Sequence, residues 1–136
     1  TNKVKFAVKI FDYLHSVDNI KLAEKIANEQ QKKNLKPKIF LQINISNEEQ
    51  KSGVSLNNLK ELYDLSVKDF NLNVIGLMCL PPENKDPKEY FSKTKQLNDE
   101  LKLDQLSMGM SSDYLKAIEF KSTYLRIGSK IFGERN

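Results

Sequence analysis

A single cysteine, Cys79, and a single histidine, His15, stand in a chain of 136 residues. One thiol cannot close an internal disulfide, and there is no cysteine pair at metal-ligand spacing, so a disulfide framework and a cysteine-rich zinc site are both excluded. One imidazole cannot form a histidine pair. His15, at the end of an apolar run, is read as packing or hydrogen bonding there. No apolar run approaches the roughly 20 residues of a membrane span. The first residues, TNKVKFAVKI, lack the apolar stretch and small-residue cleavage site of a signal peptide. No membrane partner and a cytoplasmic location are therefore expected. Also missing are a glycine-rich dinucleotide fingerprint, a phosphate-loop lysine motif, a nucleophile elbow and HExxH. Neither a catalytic residue nor a metal ligand is assigned.

The 22 Lys and Arg outnumber the 18 Asp and Glu, for a net charge of +4. The lysines are scattered over polar helix faces and form no block interleaved with aromatics, so no nucleic-acid partner is assigned. With 39% hydrophobic residues the chain reads as one globular domain, residues 1–136, with room for one site.

Strand-length apolar runs alternate with amphipathic stretches, which is an α/β rhythm. Phe11 to Val17 reads as a strand. Asp18 is the expected N-cap of a helix placing Ile20, Ala23, Ile26 and Ala27 on one face, with Asn34 and Pro37 at its end. Lys38 to Ile45 and Asn73 to Leu80 read as buried strands, the second stopped by Pro81-Pro82. Between them Leu56, Leu59, Tyr63, Val67 and Phe70 recur at helical spacing. Asp86-Pro87-Lys88-Glu89 marks a helix start before Tyr90, Thr94, Leu97 and Leu101. A strand at about Gln105 to Met108, a helix at about Ser112 to Glu119 and a strand at about Thr123 to Ile127 follow. On length alone, five strands with four helices suit an open doubly wound parallel sheet, since a closed eight-stranded barrel takes about 250 residues.

Two turns favour an anion. Ser107 to Ser112 follows a strand and opens a helix, offering free N–H groups, hydroxyls and, at Gly109, close backbone approach. Simple helix capping by Ser111 or Ser112 is the alternative for these residues taken alone. In LRIGSKIFGERN, Arg126 leaves a strand just before Gly128-Ser129, pairing a permanent cation with a turn of exposed N–H groups. Asn44 ends its strand with Gln42 on the same side, to orient a ligand or to satisfy buried backbone. Lys51 lies in a polar loop beside glutamates and is read as positioning or ion pairing, not as a covalent nucleophile.

LHSVD, LQINISNEEQKSGV, VIGLMCLPP, LSMGMSSDYLKAI and LRIGSKIFGERN occur in the order of the motifs of the pyridoxal-phosphate-binding YggS/PROSC family, which the chain resembles over essentially its whole length. The resemblance implies the C-terminal portion, about five βα units, of a TIM barrel of the alanine racemase N-terminal type. It also implies pyridoxal 5′-phosphate (PLP) at the C-terminal ends of the strands and a role in PLP homeostasis with no firmly assigned reaction. It places the cofactor phosphate on Ser107, Ser111 and the backbone of Gly128 and Ser129. Met108 is placed beside the cofactor and Arg126 near the pyridine nitrogen, with Asn44 and Met78 at strand ends facing the same mouth.

There are departures. Family members begin about three βα units earlier, and the strand bearing their Schiff-base lysine lies in that part, so PLP is expected to be held non-covalently here. Lys121 stands where the family has Gly, and Ser129 replaces the commoner Thr. An opened barrel would expose strand edges and its inner face, so self-association is expected. An amino-acid racemase is the second reading, disfavoured because related racemases need a second domain after the barrel and the chain ends soon after Arg126. An interaction module or remnant without a ligand is the third.

Overall fold

The computed structural model describes residues 13–46, 52–82, 85–110 and 124–126. In chain order the elements are β1 (Tyr13–Val17), α1 (Ile20–Lys33), β2 (Lys38–Ile43), α2 (Leu59–Asp64), β3 (Asn73–Cys79), α3 (Lys88–Glu100), β4 (Gln105–Met110) and β5 (Tyr124–Arg126). A 3₁₀ turn at Leu56–Asn58 precedes α2 and a π-helical turn at Leu65–Asp69 follows it. The helix expected over Ser112 to Glu119 lies outside the described residues.

The five strands form one parallel sheet in the order β1-β2-β3-β4-β5. Each strand is laid beside its predecessor and the order never reverses. A doubly wound sheet reverses strand order partway and carries helices on both faces; among the described residues neither holds. One buried cluster joins Ala23 and Ile26 of α1, Leu59 and Leu62 of α2 and Phe91 of α3 to Ile39, Leu41 and Ile43 of β2, Leu77 and Cys79 of β3, and Leu106 and Met108 of β4. The three helices therefore share one face of the sheet, as around a barrel wall. The doubly wound alternative is overturned, and the barrel portion stands.

Local chemistry explains the elements. Asn19, not Asp18, caps α1: its backbone is extended and its side chain accepts the Leu22 N–H at 2.8 Å. Asn34 closes the helix in the left-handed conformation, its N–H directed to Gln30 and Gln31 carbonyls, while Lys32 and Lys33 complement the dipole of the last turn. At α3, Asp86 Oδ1 accepts the Lys88 N–H at 3.0 Å as expected of a cap, although Pro87 is the boundary residue. The π turn after α2 adds a residue to one turn and shifts the helical phase. Ser66 is thereby buried, whereas Val67, expected on the apolar stripe, is 36% exposed.

β2 is buried at every position after Lys38, as befits a central parallel strand. Gly76 in β3 marks the closest approach of the next strand: a Cβ there would lie 2.0 Å from the Gln105 carbonyl oxygen and 3.0 Å from the Phe40 ring. Asn98 of α3 is buried between layers. Its Oδ1 accepts the Leu77 N–H at 2.9 Å and its Nδ2 donates to the Leu103 carbonyl at 3.0 Å. Leu103 N–H returns to the Asn98 carbonyl at 3.0 Å, so one residue ties α3 to β3 and to the turn that begins β4.

Candidate functional site

In a strand, successive side chains point to opposite faces. The odd-numbered residues of β2 belong to the helix-facing cluster, which leaves Phe40 and Gln42 on the other face. Parallel register carries that face across the sheet. Phe40 stands opposite Gly76, and Gly76 opposite Gln105; Gln42 stands opposite Met78, and Met78 opposite Ser107. An amide, a thioether and a hydroxyl thus form one row across β2, β3 and β4, one residue before the C-terminal end of β2 and of β3. Met78 and Ser107 are fully buried and Gln42 is 5% exposed. The inner face is therefore not open at these positions, contrary to what an opened barrel led us to expect.

Asn44 follows the end of β2, two residues after Gln42, and is part-buried, with Ser46 Oγ donating to its Oδ1 at 3.4 Å. β5 adds Arg126 at its own C-terminal end, in register with Met110 of β4. The structure thus brings together Met78 and Ser107, with Asn44 just past the C-terminal end of β2 and Arg126 at that of β5. It parts Met108 from them: that side chain is fully buried in the helix-facing cluster, on the face opposite Ser107. The alternation along LSMGM forces this, because adjacent residues cannot share a face. Ser111, Gly128 and Ser129 lie outside the described residues, as do Lys51 and Lys121. Gln42, read from the sequence only as the companion of Asn44, is the added member of the row. Its signal was the two-residue spacing.

The chemistry of this row is neutral. The Met78 thioether lies between the Gln42 amide and the Ser107 hydroxyl, and Phe40 lies on the same face two residues before Gln42. Among the described residues, no three His, Cys, Asp or Glu side chains are placed to hold a metal ion. Nor is any described helix long and apolar enough to cross a membrane. Asp64 is a carboxylate held below its ordinary range, by the hydrogen bond and charge of Lys60, and it sits on an outer helix away from the row.

A parallel sheet grown in sequence order, with its described helices on one side, is the architecture of part of an α/β barrel wall. Residues 2–136 match the family described as alanine racemase, N-terminal domain, and the chain belongs to that family. It is 40% identical over 144 residues to a pyridoxal phosphate homeostasis protein of Aquifex aeolicus, covering 99% of this chain and 63% of the relative. To the protein of the same name from Escherichia coli it is 34% identical over 145 residues, covering 100% and 62%. The chain thus spans less than two thirds of the length of these curated relatives. Among solved structures it is similar to PipY of Synechococcus elongatus with PLP bound, with a TM-score of 0.87 and 29% identity over 97% of this chain and 66% of that one. Alanine racemase from Corynebacterium glutamicum, at 14% identity, TM-score 0.65 and coverage of 90% and 35%, shares the fold. The motif-based resemblance and these relatives agree.

Proposed function

We propose that this chain binds pyridoxal 5′-phosphate non-covalently at the C-terminal edge of its sheet and serves PLP homeostasis without catalysing a reaction of its own. The observation that carries this reading is the in-register row of Gln42, Met78 and Ser107, which continues to Tyr124 of β5, two residues before Arg126. The described side chains fit the group: the Ser107 hydroxyl for the phosphate, the Gln42 and Asn44 amides for ring substituents, and Met78 and Phe40 as an apolar wall.

In this reading Ser107 and Ser111, with the backbone of Gly128 and Ser129, hold the phosphate. Asn44 orients the ring and Met78 packs on it. Met108 contributes through its backbone, because its side chain belongs to the core. Arg126, a permanent cation, stands by the ring nitrogen and keeps it from taking a proton. When bound, PLP supplies a reactive aldehyde and a ring able to withdraw electrons. An unprotonated ring nitrogen weakens that withdrawal, so the residues favour holding the cofactor over turning it over. The pyridoxal phosphate homeostasis proteins and the PLP-bound PipY among the similar proteins support the same ligand.

Titration of the purified chain with PLP, followed by the cofactor's absorbance, tests this. Saturable, reversible binding is expected, weakened about tenfold or more by Ser107→Ala or Arg126→Ala, as for loss of one charge-assisted contact. A non-saturating titration removes the ligand from the proposal. Racemisation of free alanine by the PLP-loaded chain would replace the homeostasis reading with the enzymatic one.

A further inference from the structure

The motifs LHSVD and QKSGV play no part in the cofactor reading, yet they meet in the fold. Asp18 follows β1 directly and is part-buried. Its Oδ2 accepts the Gly53 N–H at 3.0 Å, and its Oδ1 accepts from Asn19 Nδ2 at 2.9 Å. Asn19 in turn caps α1 through the Leu22 N–H. Both carboxylate oxygens are held, and the negative charge is anchored at a helix N-terminus, where the dipole favours it.

What Asp18 grips is the segment that completes the end of β2. Val54 forms a parallel bridge to Ile43: its N–H donates to the Gln42 carbonyl and its carbonyl accepts the Asn44 N–H, both at 2.9 Å. Ile43 is paired with Cys79 on its other side. β1 ends with Val17 opposite Leu41, so Val54 takes the place beside β2 that β1 does not reach. Only glycine fits at the grip. Gly53 has φ +113°, and a Cβ on it would lie 2.6 Å from Asn44 N and from the Ile43 carbonyl carbon. Ile45 and Val54, both buried, root the two sides of the loop in the core.

We propose that Asp18 is a positioning residue for the mouth of the sheet: by holding Gly53 it fixes Val54 on Gln42 and Asn44, and so sets the direction in which Asn44 leaves β2 toward the PLP site. The proposal rests on the PLP reading above. A charge-assisted bond placed on the loop, where two backbone groups flanking the site depend on it, distinguishes this from general packing. A purely stabilising staple would leave PLP affinity untouched.

Amide hydrogen exchange by NMR and PLP titration, both on the full chain, test it together. Asp18→Ala is expected to speed exchange at Asn44 and Val54 by about tenfold or more, the loss typical of a charge-assisted bond, while Leu77, held by Asn98, keeps its rate. PLP binding is expected to weaken by about tenfold in parallel. Asp18→Asn keeps a carbonyl acceptor for Gly53 and is expected to restore most of both effects. Gly53→Ala also forces a Cβ onto the Asn44 and Ile43 backbone, so it should speed exchange at the same amides at least as much as Asp18→Ala. Unchanged exchange at Asn44 and Val54 in Asp18→Ala overturns the clip, whatever PLP does. Faster exchange with unaltered PLP affinity overturns the positioning role. If the unmodified chain binds no PLP, the cofactor reading and the positioning role fall together, while the exchange data still decide whether the clip exists.

Discussion

Asn98 should be among the costliest polar side chains to remove. It is 2% exposed, and it satisfies the Leu77 N–H of β3 and the Leu103 carbonyl before β4. Asn98→Ala leaves the buried Leu77 N–H without its acceptor, a loss of about 1–3 kcal/mol, and removes a second bond of about 1 kcal/mol. The expected destabilisation is therefore about 2–4 kcal/mol, read from urea unfolding followed by far-UV circular dichroism. Asn98→Asp sharpens the test. Its carboxyl can copy the amide only when protonated, accepting from Leu77 and donating to Leu103. Burial beside a carbonyl raises its folded pKa above the unfolded value of about 3.9. The folded variant then binds more protons than the unfolded one between those two values, so its stability relative to the parent falls as pH rises through that window. The variant should lie near the parent at about pH 4 and well below it at pH 7. A loss under about 1 kcal/mol for Asn98→Ala, or an Asp variant that gains on the parent as pH rises, refutes the reasoning.

Gly76→Ala forces a Cβ against the Gln105 carbonyl, a backbone atom that cannot swing away, so it should cost about 1–3 kcal/mol of unfolding free energy or more; a neutral effect in urea unfolding would mean that β3 and β4 lie farther apart. Lys60 Nζ donates to Asp64 Oδ1 at 2.8 Å and lowers that carboxyl below its ordinary 3.8. The small stabilisation it brings is present above 3.8 and lost as pH falls through the lowered value; in Lys60→Met the NMR titration midpoint of Asp64 should move upward, and an unmoved midpoint contradicts the assignment. Among the described residues β1 pairs only with β2 and β5 only with β4, so we expect concentration-dependent self-association in sedimentation equilibrium, and a monomer at every concentration would remove that expectation.

Much of this was legible in the residues, and the limits have physical causes. β2 and β3 announced themselves as Ile-, Leu- and Val-rich runs between breakers, because strands buried on both faces have little else to be made of. Their order in the sheet was not legible, since an apolar run does not say which neighbour it takes; the unreversed strand order and the described helices' common face decided against a doubly wound sheet. Asp18 and Asn19 are equally good caps on paper, and the choice fell to Asn19 because the Asp18 carboxylate is taken by a glycine distant in sequence. Val67 was misplaced because an α-helical spacing cannot foresee a π turn. Strand alternation separates the named residues: Met78 and Ser107 share one face, and the Met108 side chain lies on the other, because one step along a strand changes the face.

The sheet's order also bears on how the chain is made. Strands that neighbour each other in space in the order in which they occur in sequence can be added one at a time as the polypeptide emerges, each meeting a partner that is already in place. Asn98 and Gly76 sit at that junction, since they join β3 to the turn that starts β4 and to β4 itself. An error in the register of β3 would accordingly displace β4 with it, and the row of Gln42, Met78 and Ser107 would be lost.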